Sequence, residues 1–111
     1  MNKYNAHKTS YDGMWFDSKK ECERYKQLKV MEMAGEISEL RCQVRFQLLP
    51  KTMEEKAVTY VTDFTYVENG QQVAEDVKSS RKTLRPEYII KRKLFKYMYY
   101  PDWEFREVFD V

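Results

Sequence analysis

Asp63 lies inside the apolar run Tyr60-Val61-Thr62-Asp63-Phe64-Thr65-Tyr66, and Asp76 inside Val73-Ala74-Glu75-Asp76-Val77-Lys78. A carboxylate in the middle of a β-type apolar segment is costly unless something pairs with it. Lys78 follows Asp76 by two residues, and strand side chains alternate with period two, so the lysine shares the face of that acid. The turn signal Asn69-Gly70 between the two runs folds them into a hairpin. Asp63, Asp76 and Lys78 are therefore expected to converge at one point. Two acids and a lysine there suit a divalent metal and an activated water.

Phosphodiester hydrolysis is the chemistry that most needs such a set, because a hard cation polarises the phosphate and lowers the pKa of a water. Magnesium takes oxygen ligands and few carboxylates, keeping several waters, with Mn²⁺ as a possible substitute. Asp63 and Asp76 supply two ligands, and the Val77 main-chain carbonyl offers a third oxygen. Lys78 would orient or deprotonate the attacking water, or neutralise charge that builds up in the transition state. Read structurally instead, Asp76 and Lys78 form an ordinary ion pair on an exposed sheet face, a contact that contributes little stability. Glu75 points to the opposite face and is expected to be solvent-facing or structural.

The elements that must position these residues are legible around them. Ser18-Lys19-Lys20-Glu21 has capping-box spacing and opens a helix to about Ala34, with Cys22, Tyr25 and Leu28 inward and Gly35 as its stop. Leu40, Cys42, Val44, Phe46 and Leu48 then alternate with Arg41, Gln43, Arg45 and Gln47 as a strand ended by Pro50. Strands over 57–67 and 72–78 follow, joined by Glu68-Asn69-Gly70. A basic loop leads to a second helix over 87–100, with Ile90, Leu94, Tyr97 and Met98 at helical spacing. Pro101 breaks that helix, and a last strand covers 104–111. The order α-β-β-β-α-β predicts an α/β (α+β) domain over 18–111, a mixed sheet flanked by helices. Residues 1–17, with Lys3, His7 and Lys8, are expected to form a mobile arm. Trp15, Tyr60, Phe64, Tyr66 and Phe95 are expected in the core, while Tyr99, Tyr100 and Trp103 suit a core, a dimer contact or a stacked base.

A chain of 111 residues, 42% hydrophobic and 15% aromatic, is one domain with enough apolar surface to fold. The net charge is only +2, but residues 78–96 hold eight Lys or Arg against one acid, Glu87, leaving the remainder near −5. That concentration of positive charge beside a candidate metal site points to a polyanionic partner. Arg81, Lys82, Arg85, Lys91, Arg92, Lys93 and Lys96 are the candidate phosphate contacts, giving salt-sensitive binding with little base specificity. Cys22 and Cys42 are too few and too badly spaced for a zinc site and are expected as reduced thiols. No apolar run approaches the ~20 residues of a membrane span. A soluble, cytoplasmic protein is expected.

The order of elements, with an acid in one strand and Asp-x-Lys in the next, resembles the PD-(D/E)xK nuclease superfamily. More closely, Asn2-Lys3-Tyr4-Asn5, Phe16-Asp17-Ser18-Lys19-Lys20-Glu21, Ala34-Gly35-Glu36-Ile37, Glu75-Asp76-Val77-Lys78 and Phe105-Arg106-Glu107-Val108 are similar to a family of small phage and prophage proteins. That family is grouped with Holliday-junction-resolvase-like nucleases. The resemblance implies a restriction-endonuclease-like core and a Mg²⁺-dependent DNA endonuclease, structure-selective on branched DNA and homodimeric. It implies an acid on the first helix, for which Glu21 is the match and Glu23 the alternative. It also implies a polar pair on the second helix, Lys93 and Tyr97, facing the scissile phosphate, unless these are a solvated lysine above a core tyrosine. Thr62 stands where the superfamily's proline would be, and Ser79 follows the lysine. The rival expectation is a non-catalytic DNA-binding phage accessory protein that keeps the fold.

Overall fold

The structure, a computed structural model, describes residues 8–111. It is a mixed α+β arrangement with a two-stranded sheet, β1 (Thr9–Tyr11) and β2 (Met14–Phe16), and two helices. Helix α1 (Lys19–Met33) follows. Strands β3 (Ser38–Leu49), β4 (Val58–Glu68) and β5 (Gln71–Val77) form an antiparallel meander. Helix α2 (Pro86–Tyr99) then crosses over to β6 (Trp103–Val108), which pairs parallel with β5. A parallel pair needs such a crossover, since no tight turn can join its strands. The four-stranded order is β3-β4-β5-β6.

Local chemistry explains each boundary. Ser18 caps α1 by accepting the Glu21 amide at 3.1 Å. At the other end Gly35, at φ +79°, donates to Glu32 O while the Glu36 amide reaches Met31 O. That is a Schellman closure, which favours glycine at this position. Asn69 and Gly70 both have positive φ and join Glu68 to Gln71, the two-residue turn that the right-handed strand twist favours.

The expected arm is in part a hairpin. Asp12 and Gly13, both at positive φ, make the same kind of turn between Tyr11 and Met14. Phe16 is buried against Tyr25 with ring centroids 5.1 Å apart. Phe16, not Trp15, enters the core: Trp15 is on the other face of the two-residue alternation and is 70% exposed. Lys3 and His7 lie outside the described residues.

Two apolar clusters fill the molecule. Cys22, Tyr25 and Leu28 of α1 pack on Phe64, Tyr66 and Val73. Phe95 of α2 packs on Phe46, Leu48, Tyr60 and Ala74. Phe95 is fully buried, edge-on to Phe46 at 4.9 Å, and its burial contributes about 2–3 kcal/mol. The stripe expected on α2 is corrected here. Tyr88, Phe95 and Tyr99 face the sheet, with Leu94 partly buried beside them, while Ile90, Tyr97 and Met98 are exposed. Both stripes satisfy the 3.6-residue period. The ring-filled pocket of Phe46, Tyr60 and Phe105 selects the aromatic one.

Candidate active site

The β4–β5 ladder runs from Glu68↔Gln71 to Phe64↔Glu75 and stops there. Beyond that point β4 continues with β3 alone, and β5 continues with β6 through Asp76↔Glu107 and Val77↔Val108. Asp63 and Asp76 stand in this fork and take over its hydrogen bonding. The Asp63 amide donates to Asp76 Oδ1 at 3.1 Å, and the Val77 amide donates to Asp63 Oδ2 at 2.7 Å. Each acid thus caps the other's strand. Val77 meets the acids through its N–H.

Lys78 places Nζ 3.1 Å from Asp76 Oδ2, as the Asp-x-Lys spacing predicts. Its own amide donates to Val108 O at 2.8 Å, and its carbonyl accepts Lys20 Nζ at 2.9 Å, so the strand end is held from both sides. Nζ also lies 3.8 Å from the centroid of the Tyr88 ring. Tyr60 donates its hydroxyl to Asp76 Oδ2. Asp76 is 3% exposed and Lys78 is half-buried, so the pair is not an ordinary contact on an exposed sheet face.

Glu21 joins the group from α1. It is 5% exposed and accepts Gln43 Nε2 at 2.8 Å, whereas Glu23 pairs with Lys26 on the surface. Gln43 carries φ +55° inside β3, opposite Asp63, where the β3–β4 pairing skips a step. A non-glycine residue rarely adopts that backbone, and such strain concentrates at functional sites. Here it directs toward α1 a side chain that simple alternation assigns to the outer face.

The three acids feel one another. Burial pushes the Asp63 carboxyl up to about 8, helped by the charges of Asp76 and Glu21 and opposed by the Val77 amide and Lys78. Burial likewise raises Glu21 to about 7, reinforced by Asp17 and Asp76 and opposed by the main chain of Asp17 and by Gln43. Hard oxygen donors that repel one another fit a divalent cation, whose charge would reverse both shifts. Among the described residues, no three His, Cys, Asp or Glu side chains are drawn closely enough together to form a ready cage.

The basic residues divide. Arg85 and Lys91 line a groove of about 420 Å³ with Glu87, Tyr60 and Tyr88; Lys91 pairs with Glu87 at 3.3 Å, and Tyr60 links the groove to Asp76. Arg92 is drawn to Glu107 at 2.9 Å, and Arg81 lies 4.1 Å from the Phe109 ring centroid. Lys82, Lys93 and Lys96 are exposed. Tyr97 is 87% exposed, so it is not the core tyrosine of one reading. Nor does it share the inward face of α2 with Tyr88, which the expected Lys93–Tyr97 active-site pair requires.

Glu75 is sealed from solvent. Arg24 donates to both of its oxygens at 2.8 Å, and the Tyr66 hydroxyl adds a third bond at 2.8 Å. Of the two roles expected for it, the structural one holds. Tyr60, Tyr88, Gln43, Lys20 and Arg24 are the supporting residues that sequence reasoning missed. A phenol three residues before an acid in an apolar strand, Asp63, is a usable signal for Tyr60, since buried tyrosine hydroxyls need partners. Cys22 and Cys42 are free thiols, and no helix among the described residues is long and apolar enough to cross a membrane.

The fold and site define a small mixed α+β domain with paired acids and a lysine where two strands part. A family model described as a protein of unknown function, DUF1064, matches residues 1–108, and the chain belongs to that family. No curated protein and no solved structure matches it.

Proposed function

We propose that this chain is a Mg²⁺-dependent DNA endonuclease of PD-(D/E)xK type, structure-selective on branched DNA. The observation that carries the reading is the convergence of Asp63, Asp76 and Lys78 at the strand fork, with Glu21 brought in from α1. Asp63 and Asp76 would hold the cation, with Glu21 and the Val77 carbonyl completing its protein ligands. The bound ion supplies Lewis acidity toward the phosphate and a water of lowered pKa.

The chain's own groups have defined tasks. Tyr60 fixes Asp76 by donating to Oδ2, and the Val77 amide fixes Asp63. Lys78, held against Asp76 and over the Tyr88 ring, orients the attacking water and offsets negative charge growing on the phosphate oxygens. As the water's oxygen bonds to phosphorus, the bond from phosphorus to the sugar oxygen breaks; the water's proton passes to solvent, and solvent water reprotonates the departing sugar oxygen. Arg85 and Lys91 bring the phosphate backbone along the neighbouring groove. A 13.6 kDa chain has little room for a base-reading domain, which favours recognition of DNA shape. Paired incisions in a junction would need two sites, so a homodimer is part of the proposal, acting in the cytoplasm of a host cell.

A second reading, a DNA-binding accessory protein without catalysis, draws on the exposed Lys82, Lys93 and Lys96 and the groove lined by Arg85 and Lys91, which need no bound ion. Cleavage of labelled four-way junctions, flaps, duplex and single strands in Mg²⁺, Mn²⁺ or EDTA separates the two. The nuclease reading expects metal-dependent cutting that Asp76→Ala and Lys78→Ala abolish. Binding without cutting on every substrate and in both metals leaves the accessory protein.

A further inference from the structure

The outer face of α2 carries an unusual surface. Ile90, Lys93 and Tyr97 follow one another at helical spacing, Tyr100 caps the helix end with extended backbone, and Tyr97 and Tyr100 are 87% and 76% exposed. Single exposed apolar residues are ordinary. A stripe of them interleaved with lysines, on a helix whose other face is already packed against the sheet, is not. Beside the stripe a groove of about 520 Å³ opens between Tyr100, Pro101, Trp103 and Phe105, with Lys96 at its wall and Glu104, neutralised by Arg106, also lining it. Lys96 Nζ lies 5.7 Å from the Phe105 ring centroid.

We propose that this face binds an unpaired stretch of nucleic-acid strand, with bases stacking on Tyr97 and Tyr100 and phosphates held by Lys93 and Lys96. The inference rests on the nuclease reading for its biological sense and names the kind of DNA that the site would meet: a junction or flap with unpaired nucleotides. Charge selects the occupant. The segment from Lys78 to Lys96 holds eight basic residues and one acid, so a second copy would set Lys93 and Lys96 against their own kind. A polyanion with exposed rings meets both requirements, since stacking on aromatics tolerates any base while lysines track the backbone.

The test is fluorescence anisotropy in EDTA, where no cleavage occurs, with labelled single-stranded and duplex oligonucleotides of equal length. Tyr97→Ala/Tyr100→Ala is expected to weaken single-strand binding by about tenfold or more while duplex binding is unchanged. Tyr97→Phe/Tyr100→Phe, which keeps the rings, should bind as wild type. Thermal melting checks that both variants fold. Equal loss on single strand and duplex, or no loss on either, overturns the proposal. So does a change confined to oligomeric state in sedimentation, which would give the face to a second copy. Because the readout needs no cutting, a protein that binds this way but cleaves nothing defeats the nuclease reading alone. One that cleaves but binds single strands without these tyrosines defeats only the stacking face.

Discussion

Lys78 holds its ammonium 3.8 Å from the centre of the Tyr88 ring while contacting Asp76 at 3.1 Å. The ring is itself anchored, because the Tyr88 hydroxyl donates to Glu107 Oε2 at 2.6 Å and Arg92 donates to the same oxygen. The lysine thus sits between a carboxylate and a π face, a cage that limits its rotamers. Replacing Tyr88 with leucine should lower cleavage by up to about tenfold, the scale of a partly desolvated cation–π contact. Tyr88→Phe keeps the face and should lose much less. Steady-state rates on a cleaved junction compare the two.

Gln43 offers a separation of strain from contact. Gln43→Ala and Gln43→Gly both remove the bond to Glu21, but only glycine relaxes the φ of +55°. The glycine variant should therefore be the more stable of the two by about 1 kcal/mol, with both impaired in cleavage. Urea melts of the pair measure the difference.

Stability should depend on pH in a particular sense. Glu21 rises from its ordinary 4.5 to about 7, and Asp63 from 3.8 to about 8, so the folded state holds these protons more tightly than the unfolded chain does. Their contribution is fully present below about pH 4 and is lost as pH rises through 7 to 8. In EDTA the melting temperature, corrected for other titrations with Glu21→Gln and Asp63→Asn, should fall between pH 5 and 8. Adding Mg²⁺ should restore stability most at the alkaline end, because the cation prefers the ionised acids.

The pair formed by Arg24 and Glu75 is bidentate and buried on the glutamate side. Arg24→Ala leaves an uncompensated buried charge and should destabilise by about 3–5 kcal/mol. Removing both charges together, as Arg24→Met/Glu75→Met, should cost less than the single change. Denaturant melts of the two variants decide the order.

Much of this architecture was readable in advance. The order of elements, the capped start of α1, its glycine stop and the Asn69-Gly70 turn all follow from local backbone chemistry, and local chemistry is written in adjacent residues. The meeting of Asp63, Asp76 and Lys78 followed from strand parity and one turn. Hidden features depend on partners distant in the chain. Which stripe of α2 turns inward is set by Phe46 and Phe105, not by α2. Gln43 reads as an outward residue, and nothing adjacent in the chain shows that its exposed side chain reaches Glu21 on α1. The hairpin at Asp12-Gly13 was not read from the sequence, which suggested an arm, because its strands have only three residues each and show no period.

Glu75 and Asp76 are adjacent acids delivered to opposite sides of one strand, one to a sealed arginine and one to the strand fork. A slip of β5 by one residue in one direction would drive Val73 into the slot that Ala74 fills beneath the α2 cluster and set Glu75 at the strand fork. A slip in the other direction would offer the shorter Asp76 to Arg24 and the Tyr66 hydroxyl. Each misfit penalises its own wrong alignment. The polar knot behind the sheet is in this sense an error check: it decides which of two neighbouring carboxylates is left free to do chemistry.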